Sequence, residues 1–138
     1  MARKLKAKAI VLDSWSIMAY LEDEPAAEKV EEIIAEAHEE GIPLLLTVVN
    51  AAEVWYISAR ESSEEAADQT LKELRQLGIE FVDADWELSL AAARFKVKGK
   101  ISLADCYAAA LAKTKKADLV TGDPEFKQIE SSVKVLWL

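Results

Sequence analysis

Ala9-Ile10-Val11-Leu12 is an unbroken apolar run, rich in β-branched side chains, that stops abruptly at Asp13. A strand with one wet face alternates apolar and polar residues. A run with no polar position has to be covered on both faces, as a parallel strand in an α/β sheet is. Pro43–Leu46, Ile79–Val82, Asp118–Thr121 and Val133–Leu138 read as four further short strands. Between them the apolar spacing becomes helical: Ser14–Leu21, a stretch from Pro25 to the stop at Gly41, a largely buried Val48–Arg60, and an amphipathic Ser63–Leu77 opened by Ser63 and closed by Gly78. Asp85 to about Lys98 and Ser102–Lys116 complete the set. Short strands alternating with helices predict the α/β class: a three-layer α/β/α sandwich around a central parallel sheet of about five strands. At 138 residues this is one domain, 1–138, with no repeat or linker.

Charge narrows the function classes. Acidic residues outnumber basic ones 25 to 17, for a net charge of -8. A nucleic-acid partner therefore has to be held by a local basic patch or through bound metal. One cysteine, Cys106, and one histidine, His38, exclude an internal disulfide, a zinc site of ordinary composition and a histidine-dyad ribonuclease. His38, among Glu36, Glu39 and Glu40, reads as a solvated helix residue, and Cys106 as a small core residue. Arg3, Lys4, Lys6 and Lys8 read as a solvated arm, because the apolar stretch behind them is broken by Asp13 and offers no cleavage site. No run reaches the roughly 18 apolar residues of a membrane span. The expectation is a cytoplasmic protein without a membrane partner.

Among so many carboxylates, those in surroundings that predict burial are the informative ones. Asp13 ends the first strand and Asp123 follows the fourth, in Leu119-Val120-Thr121-Gly122-Asp123. In a parallel sheet both lie at the carboxyl edge, where open α/β sheets bind ligands. Each also precedes a helix-starting residue, Ser14 or Pro124, so helix capping is an open alternative. Glu53 has Val49, Asn50, Tyr56 and Ile57 as helical neighbours, and Asp105 has Ile101, Ser102, Ala108 and Ala109. Neither has an Arg or Lys at helical reach, and an unpaired buried charge costs several kcal/mol. A hydrogen-bonded buried carboxylate is one resolution; a bound cation is another.

The chain carries no GxGxxG, no GxxxxGK[ST] and no GxSxG. An aspartyl phosphatase typically has a second Asp two residues after the first, and that position is Trp15. The chemistry left for four converging carboxylates is to hold Mg²⁺ or Mn²⁺, hard cations that take oxygen ligands.

Val11-Leu12-Asp13-Ser14, Glu24-Pro25-Ala26-Ala27-Glu28, Asn50-Ala51-Ala52-Glu53-Val54, Ser102-Leu103-Ala104-Asp105, Thr121-Gly122-Asp123-Pro124-Glu125-Phe126 and Val135-Leu136-Trp137-Leu138, in this order, resemble the PIN domain family of metal-dependent ribonucleases. The closest resemblance is to the VapC-type toxins of toxin–antitoxin pairs, over nearly the whole chain. One departure is Trp15, where many members carry a small hydroxyl residue. The resemblance implies an acidic quartet of Asp13, Glu53, Asp105 and Asp123 as catalytic and metal-holding residues, with Ser14 and Thr121 supporting it or touching substrate. It also implies an Mg²⁺- or Mn²⁺-dependent endoribonuclease leaving 5′-phosphate and 3′-hydroxyl ends, a homodimer, and inhibition by a small VapB-like antitoxin. The lack of a catalytic His agrees with metal-activated water as the nucleophile. A non-catalytic PIN-like module that binds RNA or protein, and a metal-dependent phosphatase or DNA nuclease, are the competing readings.

Positive charge for RNA is expected from Arg94, Lys96, Lys98 and Lys100, which interleave with Phe95, Val97 and Gly99; a solvated helix end is the alternative. Trp15, Tyr20, Trp55, Tyr56 and Trp86 read as core or dimer-contact residues. The helix with Trp15 and Tyr20, together with the one after Pro25, is the expected exposed apolar surface for an antitoxin or a second subunit.

Overall fold

The computed structural model describes residues 5–138. Of the basic arm, Lys6 and Lys8 are exposed, and Arg3 and Lys4 lie outside the described residues. The chain runs β1 (Ile10–Leu12), α1 (Ser14–Leu21), α2 (Ala27–Glu40), β2 (Leu44–Thr47), α3 (Val48–Glu61), α4 (Glu64–Gln76), β3 (Ile79–Val82), α5 (Trp86–Lys98), α6 (Leu103–Lys115), β4 (Asp118–Thr121), a 3₁₀ turn (Pro124–Gln128) and β5 (Val135–Trp137). The strands form one parallel sheet in the order β3-β2-β1-β4-β5. This is the α/β/α sandwich with a five-stranded parallel sheet that the sequence predicts.

Side-chain alternation splits the core in two. Val11, Leu45 and Leu119 point to one face and pack with Leu88, Phe95 and the buried side of α6. Ile10, Leu12, Leu44, Leu46 and Val120 point to the other, against Ile17, Val30, Ile34 and Val54. The strands are apolar throughout because each face has its own helical layer. Ala108, Ala109, Ala110 and Ala112 are buried, and their small side chains let α6 lie close against β1, β2 and β4.

Several local expectations need correction. Pro25 does not open α2: the helix begins at Ala27, after a turn in which the Ala27 N–H donates to Glu24 O at 2.8 Å. Gly41 ends it at φ 66°, a left-handed cap that glycine adopts without strain. The helix Val48–Arg60 is only partly buried: α3 hides Asn50, Ala51 and Val54, while Tyr56 is exposed. His38 is not simply solvated, since its ring Nε2 lies 2.6 Å from Leu77 O and its edge fills the space beside Gly78. Among the described residues the large exposed apolar side chains are Tyr56, Trp86, Val97 and Leu103, on α3, α5 and the start of α6 rather than on α1 and α2. No helix among the described residues is long and apolar enough to cross a membrane.

Candidate metal centre

Strand order reverses at β1, which pairs with β2 on one side and β4 on the other. In an open parallel sheet the crevice beyond the carboxyl ends at such a switch point is where ligands bind. Asp13 leaves β1 there and Asp123 leaves β4, two residues past Thr121. Asp13 caps α1: its Oδ1 accepts from the Ser16 N–H at 2.8 Å, and Ser16 Oγ accepts from the Asp13 N–H at 3.1 Å. Its other oxygen accepts from the Thr121 hydroxyl at 2.5 Å. Thr121 Oγ in turn accepts from the Asp123 N–H at 3.0 Å, and Asp123 Oδ1 caps the 3₁₀ turn through the Glu125 N–H at 2.9 Å. Capping and convergence at one edge therefore coexist at Asp13 and Asp123. Thr121 is fully buried with its hydroxyl engaged on both sides, donating to Asp13 and accepting from the Asp123 N–H.

A second network brings in the helices. Asn50, completely buried near the start of α3, accepts from the Thr47 hydroxyl at 2.6 Å. Its amide donates to Ser14 Oγ at 3.1 Å and to Ala104 O at 3.2 Å. One side chain thus ties the starts of α1, α3 and α6 together, and Asp105 follows Ala104. Ser102 caps α6 by accepting from the Asp105 N–H at 3.2 Å. Sequence reasoning noted Asn50 only as part of a motif and missed this role.

The carboxylates that meet are Asp105, Asp123 and Glu125, with one oxygen of each within 4.8 Å of the others. Glu125 was not among the sequence candidates. Glu53 lines the same cavity of about 310 Å³, along with Ser14, Trp15, Ser102 and the three carboxylates, but stands outside the tight cluster. The Tyr56 hydroxyl donates to its Oε2 at 3.4 Å. Asp13 is fully buried and does not line the cavity, yet its charge is felt by Asp105 and it feels the charge of Asp123.

Electrostatics at the cluster is unrelieved. Asp105 is pushed up to about 9 by burial first, then by hydrogen bonding with Glu125, by the charges of Asp123 and Asp13, and by hydrogen bonding with Asp123. Asp13 rises to about 6 because burial outweighs the bonds from Thr121 and Ser16. Among the described residues the ion pair is Lys134 with Asp118 at 3.8 Å, and no Lys or Arg pairs with the cluster. Three hard oxygen donors with no cationic partner suit a divalent ion such as Mg²⁺ or Mn²⁺ better than any softer metal. Cys106 beside Asp105 is buried and its thiol is pushed up by that burial, so it offers no thiolate.

The basic run does not reach this cavity. Arg94 and Lys98 line a separate one of about 300 Å³ with Lys113. Lys96 donates to Ile101 O at 2.7 Å, and the Lys100 backbone is held by Gln128. Any contact of this run with RNA would therefore lie outside the carboxylate cavity.

The family model described as PIN domain matches residues 10–131. No curated protein matches the chain. Among solved structures, VapBC2 from Rickettsia felis bound to a promoter DNA fragment is similar at TM-score 0.73 and 16% identity, over 93% of this chain and 97% of that one. VapBC-1 from nontypeable Haemophilus influenzae is similar at 0.72 and 18%, over 94% and 97%. VapC20 of Mycobacterium tuberculosis, a toxin that cleaves the sarcin-ricin loop, is similar at 0.68 and 16%, over 86% and 93%. At such identities the likeness is one of fold.

Proposed function

The chain belongs to the PIN domain family, and from that premise we propose that it is an Mg²⁺- or Mn²⁺-dependent endoribonuclease, the toxin of a toxin–antitoxin pair. The observation that carries the reading is the cluster of Asp105, Asp123 and Glu125 at the switch point, three carboxylates with no cationic partner among the described residues. A chain that only bound a partner would have no use for such repulsion, whereas a metal-dependent hydrolase needs it.

Asp105, Asp123 and Glu125 would hold a divalent ion, which when bound would lower the pKa of a water molecule and offset charge on the phosphoryl oxygens. Asp13, locked by Thr121 and Ser16, adds negative charge from beneath without moving. Glu53, steadied by the Tyr56 hydroxyl, orients the attacking water. Asn50 keeps α1, α3 and α6 at fixed spacing, so the carboxylates are set before substrate arrives.

The solved relatives from Rickettsia felis and Haemophilus influenzae are VapBC assemblies. They support a VapB-like antitoxin as partner; RNA as substrate and a homodimer as the working form belong to the same proposal. The test is cleavage of structured RNA, DNA and a phosphomonoester by the parent and Asp105→Asn in Mg²⁺, Mn²⁺ or chelator. RNA cleavage only by the parent with metal is expected. Cleavage that survives chelator or the substitution refutes the reading. For the toxin role, the parent should arrest growth where Asp13→Ala does not.

A further inference from the structure

The acidic cavity has a second side. Facing into the same space as the carboxylates are Trp15, Met18, Ala19 and Ile57, three of them large and apolar. Trp15 is half-buried, leaving part of its indole open to the cavity. Its position is set by Gly122: a Cβ there would overlap three carbons of the indole's six-membered ring, so the ring lies directly on bare backbone. Gly122 does not have positive φ. Glycine is therefore required at this position by the ring's close approach rather than by backbone conformation. The residue after Gly122 is Asp123, one of the clustered carboxylates. A fixed aromatic platform thus stands one residue from the candidate metal centre.

We infer that the Trp15 indole is a specificity-determining base platform, on which the base of a nucleotide flanking the scissile phosphate stacks while the phosphate sits at the carboxylate cluster. The inference rests on the ribonuclease reading and deepens it. Every base has a π-face and the wall is apolar, so stacking suits it where hydrogen-bond readout does not. A stacked base has to be unpaired or splayed from a duplex, so the substrate class is RNA with an unstacked nucleotide at the cut, as in a loop or bulge. The volume of about 310 Å³ lies at the small end of ligand pockets, in keeping with a single base rather than a duplex.

The experiment uses a short RNA that the parent cuts at a mapped position, and versions abasic at either flanking nucleotide. Values of kcat/KM are measured for the parent, Trp15→Phe and Trp15→Ala. One abasic site should cost the parent about tenfold or more. Trp15→Ala should lose a similar factor on intact RNA and little further on that abasic RNA, while Trp15→Phe keeps most activity. Gly122→Ala retains the indole but displaces it, and should show the same insensitivity to the abasic site, which keeps the inference testable if Trp15→Ala folds poorly. Equal cutting of intact RNA by parent and Trp15→Ala overturns the platform, as does the same loss by Trp15→Ala on intact and abasic RNA. If Trp15→Ala cuts normally and only escapes inhibition by the partner protein, the wall is a protein contact and the inference is overturned. A parent that cuts no RNA with either metal refutes the ribonuclease reading itself, and the inference with it.

Discussion

Replacing Asp105 by Asn should stabilise the metal-free protein, and the gain should grow with pH. In the folded parent Asp105 is pushed from 3.8 up to about 9, chiefly by burial and then by Glu125, Asp123 and Asp13. The folded state keeps a proton there that the unfolded chain releases near pH 4. The stability contributed by this group is complete below that value and is lost as pH rises through the folded pKa, at up to about 1.4 kcal/mol per pH unit. From pH 5 to pH 7 the ceiling is about 3 kcal/mol. Solvent screening and relaxation of the site discount that ceiling, so about 1–2 kcal/mol is the expected net change. Asn carries no charge, has nearly the same volume, and its amide can donate to either neighbour. Asp13, raised to about 6, adds a loss of the same sign through that pH in both proteins and largely cancels from the difference. For a chain of 138 residues 1 kcal/mol moves Tm by roughly 3–4 °C. The Tm gap between Asp105→Asn and parent should therefore widen by roughly 3–8 °C between pH 5 and pH 7. Thermal melts in chelator across pH 5 to 8 read it directly. A gap that stays constant, or a variant that melts below the parent at pH 7, would show that Asp105 is a structural hydrogen-bonding carboxylate. Millimolar Mg²⁺ should then narrow the gap by binding only the folded parent.

Glu125→Gln should lower RNA cleavage by about 100-fold or more with little change in Tm; an effect below threefold would exclude Glu125 from the metal set. Thr121→Val keeps the shape but removes the donor to Asp13 and the acceptor of the Asp123 N–H, so urea unfolding at pH 7 should show a loss of roughly 2–4 kcal/mol. A loss under about 0.5 kcal/mol would mean the hydroxyl is not holding the two strand ends. Gly122→Ala should lower Tm in the parent and much less in a Trp15→Ala background. Additive shifts would show that the ring does not rest on that glycine.

How far the sequence could be read depended on the kind of signal. β1 and β4 were legible because runs such as Ile10-Val11-Leu12 feed two cores at once, and only a doubly covered strand does that. Asp13 and Asp105 were legible because each stands among buried neighbours, and Asp123 because it follows directly on a buried strand. Glu125 was not: helix-face reasoning compares positions three and four apart, and Asp123 and Glu125 converge through a 3₁₀ turn two residues on. The placement of the basic run was not legible for the converse reason. Alternate residues of a helix point about 200° apart, so Arg94 and Lys98 share one face while Lys96 turns to Ile101 O. The apolar stretch Val54-Trp55-Tyr56-Ile57 implied a buried α3, but whether a second layer covers a helix is a tertiary fact that composition does not record.

The pairing of β1 with β4 has a consequence for the order of synthesis. Leu12 registers with Val120, and the Thr121 hydroxyl reaches Asp13 across 108 positions of chain. Two of the three clustered carboxylates, Asp123 and Glu125, are translated after every α-helix of the fold. A ribosome making this protein therefore carries a nascent chain whose cluster is incomplete until β4 has emerged and been inserted beside β1. On the proposed function, the chain stays inert towards RNA while it is still tethered to the machinery producing it, and becomes competent only once the centre of its sheet is filled.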